Sequence, residues 1–233
     1  MTQLANPYWD EVCAHVDPND AFYGPCVGRL GLAELRAATA GDPEPMLAKP
    51  QRADLVSKYA WTITDPASVA FVAEHAHGSL VDPMAGTGYW GYVLGQCGVQ
   101  VASSDAFGPT ENHWHHDYDL WVPVEICDGA EAVARHSDKT LLLSWPPYSE
   151  DVGTRILAAY HGDRVIFIGE SDGGCTGDED LHTALQTDWH EVACHRPVQW
   201  WGLHDYITVY ERDQDAVELV RHALEGELVS AGR

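Results

Sequence analysis

Leu80-Val81-Asp82-Pro83-Met84-Ala85-Gly86-Thr87-Gly88-Tyr89-Trp90-Gly91 is the stretch that decides the fold. An apolar run ends on an acid and two glycines one apart follow. The chain then resumes as Tyr89-Trp90-Gly91-Tyr92-Val93-Leu94, which reads as a helix. Strand, glycine turn and helix together bring bare backbone N–H groups and a helix N-terminus up to a ligand. Glycine suits such a turn because a Cβ would block close approach and tight turns often need a positive φ. Many strand–helix turns carry two such glycines and bind nothing. The next element adds weight, because Val99 to Ser104 reads as a second strand that ends on Asp105, 19 positions after Gly86. An acid there is placed to accept hydrogen bonds from a ribose hydroxyl pair. Turn and acid point to a cofactor that contains a nucleoside.

Asp82-Pro83-Met84-Ala85-Gly86-Thr87-Gly88 resembles the cofactor motif of class I S-adenosylmethionine (SAM)-dependent methyltransferases, in which an acid precedes G-x-G. NAD-binding turns fit less well: Gly91 follows Gly88 by three, but Tyr89 and Trp90 are bulky where a dinucleotide fold wants a close helix. The resemblance implies SAM as cofactor, with Asp82, Met84, Ala85, Gly86, Thr87, Gly88 and Trp90 around the turn and Asp105 and Ala106 at the ribose. In that family an acid after the third strand meets the adenine amine. Asp128, followed by Gly129, matches that position, or it simply caps the next helix.

Thr140-Leu141-Leu142-Leu143-Ser144 is a continuous apolar run, as a strand buried on both faces should be. It exits into Trp145-Pro146-Pro147-Tyr148, which is similar to the [D/N]-P-P-[Y/F/W] motif of the amino-group methyltransferases. There the prolines stiffen the strand exit, an acid or amide side chain and a backbone carbonyl accept hydrogen bonds from a target NH2, and the aromatic ring stacks on it. Here the first position is Trp145, and Ser144 lies one residue early, on the opposite face by period-two alternation. The rigid exit and the aromatic platform survive without the side-chain acceptor. That departure argues against a nucleobase amine as target. Trp145, Pro146 and Tyr148 are expected at the reaction site, with Tyr148 also touching substrate.

The 233 residues suit one α/β domain with an N-terminal addition. A formal charge of −23, from 13 Lys+Arg against 36 Asp+Glu, argues against nucleic acid as partner, because phosphate backbones need a basic footprint. Six widely spaced cysteines without a C-x-x-C pair read as reduced thiols. No apolar run approaches 18 residues and no leader precedes the start, so no membrane partner and a cytoplasmic location are expected.

Residues 1–64 are expected to form a helical extension or lid, with Pro7-Tyr8-Trp9 and Val12 hinting at an amphipathic start and Gly31–Ala38 reading as a short helix, and residues 65–233 the methyltransferase domain. Trp61, in Tyr59-Ala60-Trp61, either folds over the cofactor or packs against the sheet. Asp65-Pro66 signals a helix start. Asn112-His113-Trp114-His115-His116-Asp117 tempts a metal reading, but its spacing has no strand or helix period, so a solvated loop and no metal site are expected. Val122–Ile126 reads as the third strand, Arg164–Ile168 as the fifth, Trp189–His195 as the sixth and Asp205–Tyr210 as the seventh. Ser149 and Asp178 are candidate helix caps, and the tail from Asp213 to Leu228 reads as a surface helix.

This alternation is the pattern of a three-layer, Rossmann-like, seven-stranded methyltransferase sheet, mostly parallel with one antiparallel strand. Ligands in open α/β sheets sit beyond the carboxyl ends of the parallel strands. Glu170, after the fifth strand, falls on that edge, and so does the connection His195–His204. Trp200, Trp201 and Asp205 are therefore expected to wall the substrate, and Glu170 or His204 to serve as base where the nucleophile arrives protonated. The implied activity is methyl transfer to a nitrogen, ahead of an oxygen, of a small molecule, by in-line attack in which proximity does most of the work. An amino-methyltransferase of nucleic acid or protein, and a non-catalytic SAM-binding subunit, are the rival readings.

Overall fold

The computed structural model describes residues 4–21, 24–112, 114 and 118–212. The tail helix expected from Asp213 and the residues His113, His115, His116 and Asp117 lie outside the described residues. The N-terminal part comprises α1 (Pro7–Val12), β1 (Asp17–Asp20), β2 (Gly24–Val27), α2 (Leu32–Thr39), α3 (Glu44–Leu47) and α4 (Arg52–Lys58). Then follow α5 (Pro66–His75), β3 (Ser79–Asp82), α6 (Tyr89–Gln96), β4 (Gln100–Asp105), β5 (Glu125–Ile126), α7 (Gly129–Arg135) and β6 (Thr140–Ser144). The chain closes with α8 (Val152–Ala159), β7 (Arg164–Gly169), α9 (Glu179–Thr187), β8 (Trp189–His195), β9 (Gln199–Trp200) and β10 (Tyr206–Arg212).

Seven strands form one sheet in the order β5-β4-β3-β6-β7-β10-β8. The first five run parallel, and β10 lies antiparallel between β7 and β8. This is the expected Rossmann-like sheet. Its central strands β6 and β7 are nearly continuous apolar runs because each face is covered there. Period-two alternation then sorts the side chains: Leu141, Leu143, Val165 and Phe167 join one cluster with α7, α8 and α9. Leu142, Ile166, Ile168, Ile207 and Val209 join the other, with α5, α6 and the N-terminal helices. Three layers result.

Local signals set several boundaries. Asp65 accepts from the N–H groups of Ala67 and Ser68, and Pro66 opens α5, so cap and proline work as a pair. Asp178 caps α9 through Leu181 N at 3.1 Å. Ser149 does not cap α8, which begins only at Val152 after Asp151. The third strand is shorter than expected. Pro123 has no N–H to give a ladder, and Val122 and Val124 instead lie over Gly88, where an added Cβ would stand 2.8 Å from Val122 Cγ2.

The extension carries helices and, beyond them, a second sheet. β1 pairs antiparallel with β2, and β2 pairs parallel with β9, matching Cys26 to Gln199 and Val27 to Trp200. Tyr8, Val12, Val27 and Leu55 belong to the same buried cluster as Leu80 and Leu142 of the main sheet. All six cysteines are free thiols. Among the described residues no helix is long and apolar enough to cross a membrane.

Candidate active site

The glycine turn leaves β3 at Asp82 and enters α6 at Gly88. Gly86 and Gly88 both take left-handed conformations, at φ 52° and 75°, which explains glycine at these positions. Asp105, at the tip of β4, ties the second strand to the turn: its Oδ2 accepts from Gly86 N at 2.9 Å and its Oδ1 from Phe107 N at 3.0 Å. Burial pushes its pKa up while these donors pull it down, and burial wins. Asp82 is buried behind it with Oδ1 unpartnered, and its pKa is pushed up to about 7 by burial first and by Asp105 second. Thr87 donates its hydroxyl to the Tyr59 carbonyl, which pins the extension onto the turn.

A cavity of about 510 Å3 lies beyond the carboxyl ends of the parallel strands. Met84, Asp105, Ala106, Asp128 and Gly129 line it from β3, β4 and β5. Ser144, Trp145, Pro146 and Tyr148 line it from β6, and Trp61 from the extension. Ser144, the last residue of β6, and Trp145 after it both line the cavity. Asp128 does cap α7, through Ala130 N at 3.0 Å, and its other oxygen lies 3.5 Å from Arg155.

Trp145 shapes the end of the cavity that follows β6. Its φ of 53° is left-handed, a strained choice for a bulky residue. Its backbone N–H donates to Ile168 O at 2.8 Å, and its indole Nε1 donates to Thr62 Oγ1 at 2.9 Å and Asp205 Oδ2 at 3.1 Å. Asp205 also accepts from Thr62 Oγ1 at 2.8 Å. Only 2% of Asp205 is exposed, and burial pushes its pKa up to about 6 against the pull of Thr62 and Trp145. Asp205 thus holds the tryptophan from behind. The Trp145 ring stacks on Trp61 at 5.1 Å and 20°, and Trp114 meets Trp61 edge-on. The prolines are fixed from the other side, where the Pro146 carbonyl accepts from Gly177 N at 2.7 Å. Tyr148 is 60% exposed at the mouth.

Several expected site residues stand elsewhere. Asp82, Ala85, Gly86, Thr87 and Gly88 are not among the cavity-lining residues, and Trp90 is buried in the core on the α5/α6 side. Of the β8–β10 connection, expected to wall the substrate, Leu203 lines the main cavity and Trp200 and Trp201 do not. Trp200 is 4% exposed, with Nε1 donating to the Tyr8 hydroxyl at 3.0 Å, because β9 is drawn into the second sheet. Trp201 lines a separate cavity of about 180 Å3. Glu170 lies off the main cavity and holds loops together: Oε2 accepts from Cys175 N and Oε1 from His204 N, both at 2.8 Å. Burial raises its pKa, but the Cys175 and His204 donors outweigh that and hold it below the usual carboxylate range. The His204 ring lies 3.5 Å from Glu170 and outside the cavity lining.

Arg52, Phe107 and Leu203 line the cavity, Thr62 holds Trp145 from behind it, and none of the four carried a signal in the sequence. Thr62 acts through a partner 143 positions away, and Arg52 through two tryptophans of distant segments. Among the described residues no cluster of His, Cys, Asp and Glu could hold a metal.

No family model and no curated protein matches the chain. Solved structures do. The chain is similar to the Burkholderia thailandensis 1,6-didemethyltoxoflavin-N1-methyltransferase with bound 1,6-didemethyltoxoflavin and S-adenosylhomocysteine (SAH), at 21% identity and a TM-score of 0.45 over 85% of this chain and 95% of that one. It is similar to the magnesium protoporphyrin IX methyltransferase of Synechocystis with bound SAM, at 17% identity and a TM-score of 0.42 over 63% and 77%. A putative tRNA (m1A22) methyltransferase of Streptococcus pneumoniae matches at 15% identity and a TM-score of 0.42 over 63% and 68%. At these values the likeness carries no argument, and the fold stands on the sheet order itself. The chemistry must come from the chain's own residues.

Proposed function

We propose that the chain is a SAM-dependent methyltransferase acting on a nitrogen, ahead of an oxygen, of a small-molecule acceptor. The observation that carries this reading is Asp105 at the lip of the cavity, bonded to the Gly86 N–H of the glycine turn at 2.9 Å, with the proline motif across from it. The residues present fit the cofactor. Asp105 offers a carboxylate for a ribose hydroxyl pair. Met84, Ala106, Phe107 and Ile156 offer apolar surface for a purine, with Asp128 beside them. A cavity of about 510 Å3 is the size that small ligands use.

Bound SAM supplies a methyl group already activated by its sulfonium, so the protein's task is orientation. Trp145, locked by Thr62 and Asp205, and Tyr148 give the acceptor a rigid aromatic frame. Neither Glu170 nor His204 lines the cavity, and the lowered pKa of Glu170 makes it a weak base. An acceptor that arrives with a free lone pair needs no base, which favours nitrogen over a hydroxyl oxygen. Trp145 in place of an acid or amide, together with the charge of −23, favours a small molecule over a nucleobase in a polymer.

Calorimetry with SAM and SAH tests the reading. The wild type should bind both, and Asp105→Ala should weaken binding roughly ten- to a hundredfold, the worth of a charged hydrogen-bond pair, with its near-UV circular dichroism intact. Equal affinity in a folded Asp105→Ala protein would remove the assignment.

A further inference from the structure

Arg52, at the start of α4, lines the cavity beside Trp145. Its guanidinium carbon stands 5.1 Å from the ring centre of Trp61 and 5.1 Å from that of Trp145. Nε and Nη2 are buried and have no hydrogen-bond partner. These two nitrogens make one edge of the planar guanidinium, and such an edge meets the two oxygens of a carboxylate side by side. Taking these two donors out of water without a hydrogen-bond partner is costly, and the aromatic faces and the Asp205 charge offset only part of that cost. The chain carries 36 acidic residues, yet none of those described closes on this edge. Arg155, the other arginine of the lining, differs: its guanidinium is shared between Asp128 at 3.5 Å and Asp151 at 3.2 Å.

Position separates this cation from the nucleoside end. Asp105 and Asp128 follow β4 and β5, on one side of β3, whereas Trp145 follows β6 on the other. Arg52 also lines the smaller cavity with Lys49 and Trp201, on the side of the second sheet. We infer that Arg52 receives a carboxylate of the methyl acceptor, which is then a small flat acid lying against Trp145 and Tyr148. This rests on the methyltransferase reading and adds the acceptor's chemical class to it. The buried edge opens only when a flanking group shifts, so an entering acid disturbs the environment of Trp61 or Trp145 and alters tryptophan fluorescence.

The test titrates the SAH-loaded protein with indole-3-carboxylate and quinoline-2-carboxylate, each beside its neutral carboxamide. In the wild type the acids should bind about tenfold tighter than the amides, as one charged hydrogen-bond pair provides. That ratio should fall to about one in Arg52→Gln and to an intermediate value in Arg52→Lys, which keeps the charge and loses the fork. SAH affinity should be the same in all three proteins. Equal or absent binding of acids and amides in the wild type overturns the inference, and needs no variant to fold. A loss of SAH affinity in Arg52→Gln equal to the loss for the acids also overturns it, because Arg52 would then serve the cofactor's own carboxylate. Failure of SAH to bind the wild type removes the methyltransferase reading itself, and is seen before any acid is added.

Discussion

Two buried carboxyl groups make the site sensitive to pH. The pKa of Asp82 is pushed up to about 7 from an ordinary 3.8, so the folded state holds its proton more tightly than the unfolded chain does. At acid pH both states are protonated and the shift changes nothing. As pH rises from about 4 to about 7 the unfolded chain ionises first, and stability falls over that window. Asp82→Asn removes the charge, so its melting temperature should exceed that of the wild type by more at pH 8 than at pH 5. Thermal melts at the two pH values check this; an equal difference at both would mean that Asp82 does not titrate in that range. Asp205 is raised in the same direction, to about 6, but its role is to hold Trp145. Asp205→Ala and Trp145→Phe each remove that bond. A double-mutant cycle by denaturant unfolding should return a coupling of about 0.5–3 kcal/mol, and strict additivity would show that the bond contributes nothing.

The proline motif acts as an element rather than as separate residues. Pro146 and Pro147 carry the chain from β6 to the mouth, Gly177 and Thr176 hold them, and Tyr148 ends the run in solvent. Tyr148→Ala should therefore lower turnover at least tenfold while SAH affinity stays within about twofold, since in the proposed function the ring frames the acceptor and not the cofactor. Equal losses in both would place the ring on the cofactor. Elements with local signals were legible in the sequence. Leu141 to Leu143 announced a strand covered on both faces, Asp65-Pro66 a helix start, and Gly86 and Gly88 a left-handed turn. The second sheet was not. Asp17-Pro18-Asn19-Asp20 is polar and carries no alternation, and β9 is only two residues long; they become strands through each other. Trp145 shows the same limit at the site. Its place in the motif was readable, but the Thr62 and Asp205 that fix its ring lie 83 and 60 positions away.

At the scale of the molecule, the extension is part of the core. Tyr8, Val12, Cys26 and Val27 are fully buried, and burying one large apolar side chain stabilises by about 1.5–3 kcal/mol. Since a whole domain is stable by only about 5–15 kcal/mol, deletion of residues 1–28 should abolish cooperative unfolding, as seen by circular dichroism on heating. A truncated protein that melts sharply and still binds SAH would make the extension a detachable lid. The acidic surface leads to a second expectation, that duplex DNA and RNA show no nonspecific binding at physiological salt. Anisotropy titrations that find tight binding, weakening steeply with salt, would favour the polymer-modifying rival.

The bond from Trp200 Nε1 to the Tyr8 hydroxyl spans 192 positions, and the β2–β9 pairing closes beside it. On the ribosome the N-terminal strands therefore emerge long before their partner exists. At about 5–20 residues per second, Tyr8 and Val27 wait roughly ten to forty seconds for residues 199–200, with their apolar faces uncovered. The cavity, closed on one side by Trp61 and Arg52 of the early-made segment and on the other by Trp145, can take shape only near the end of synthesis. Ligand-binding competence should accordingly appear abruptly in stalled nascent chains once β9 and β10 have cleared the exit tunnel, and not in graded steps as each earlier strand is added.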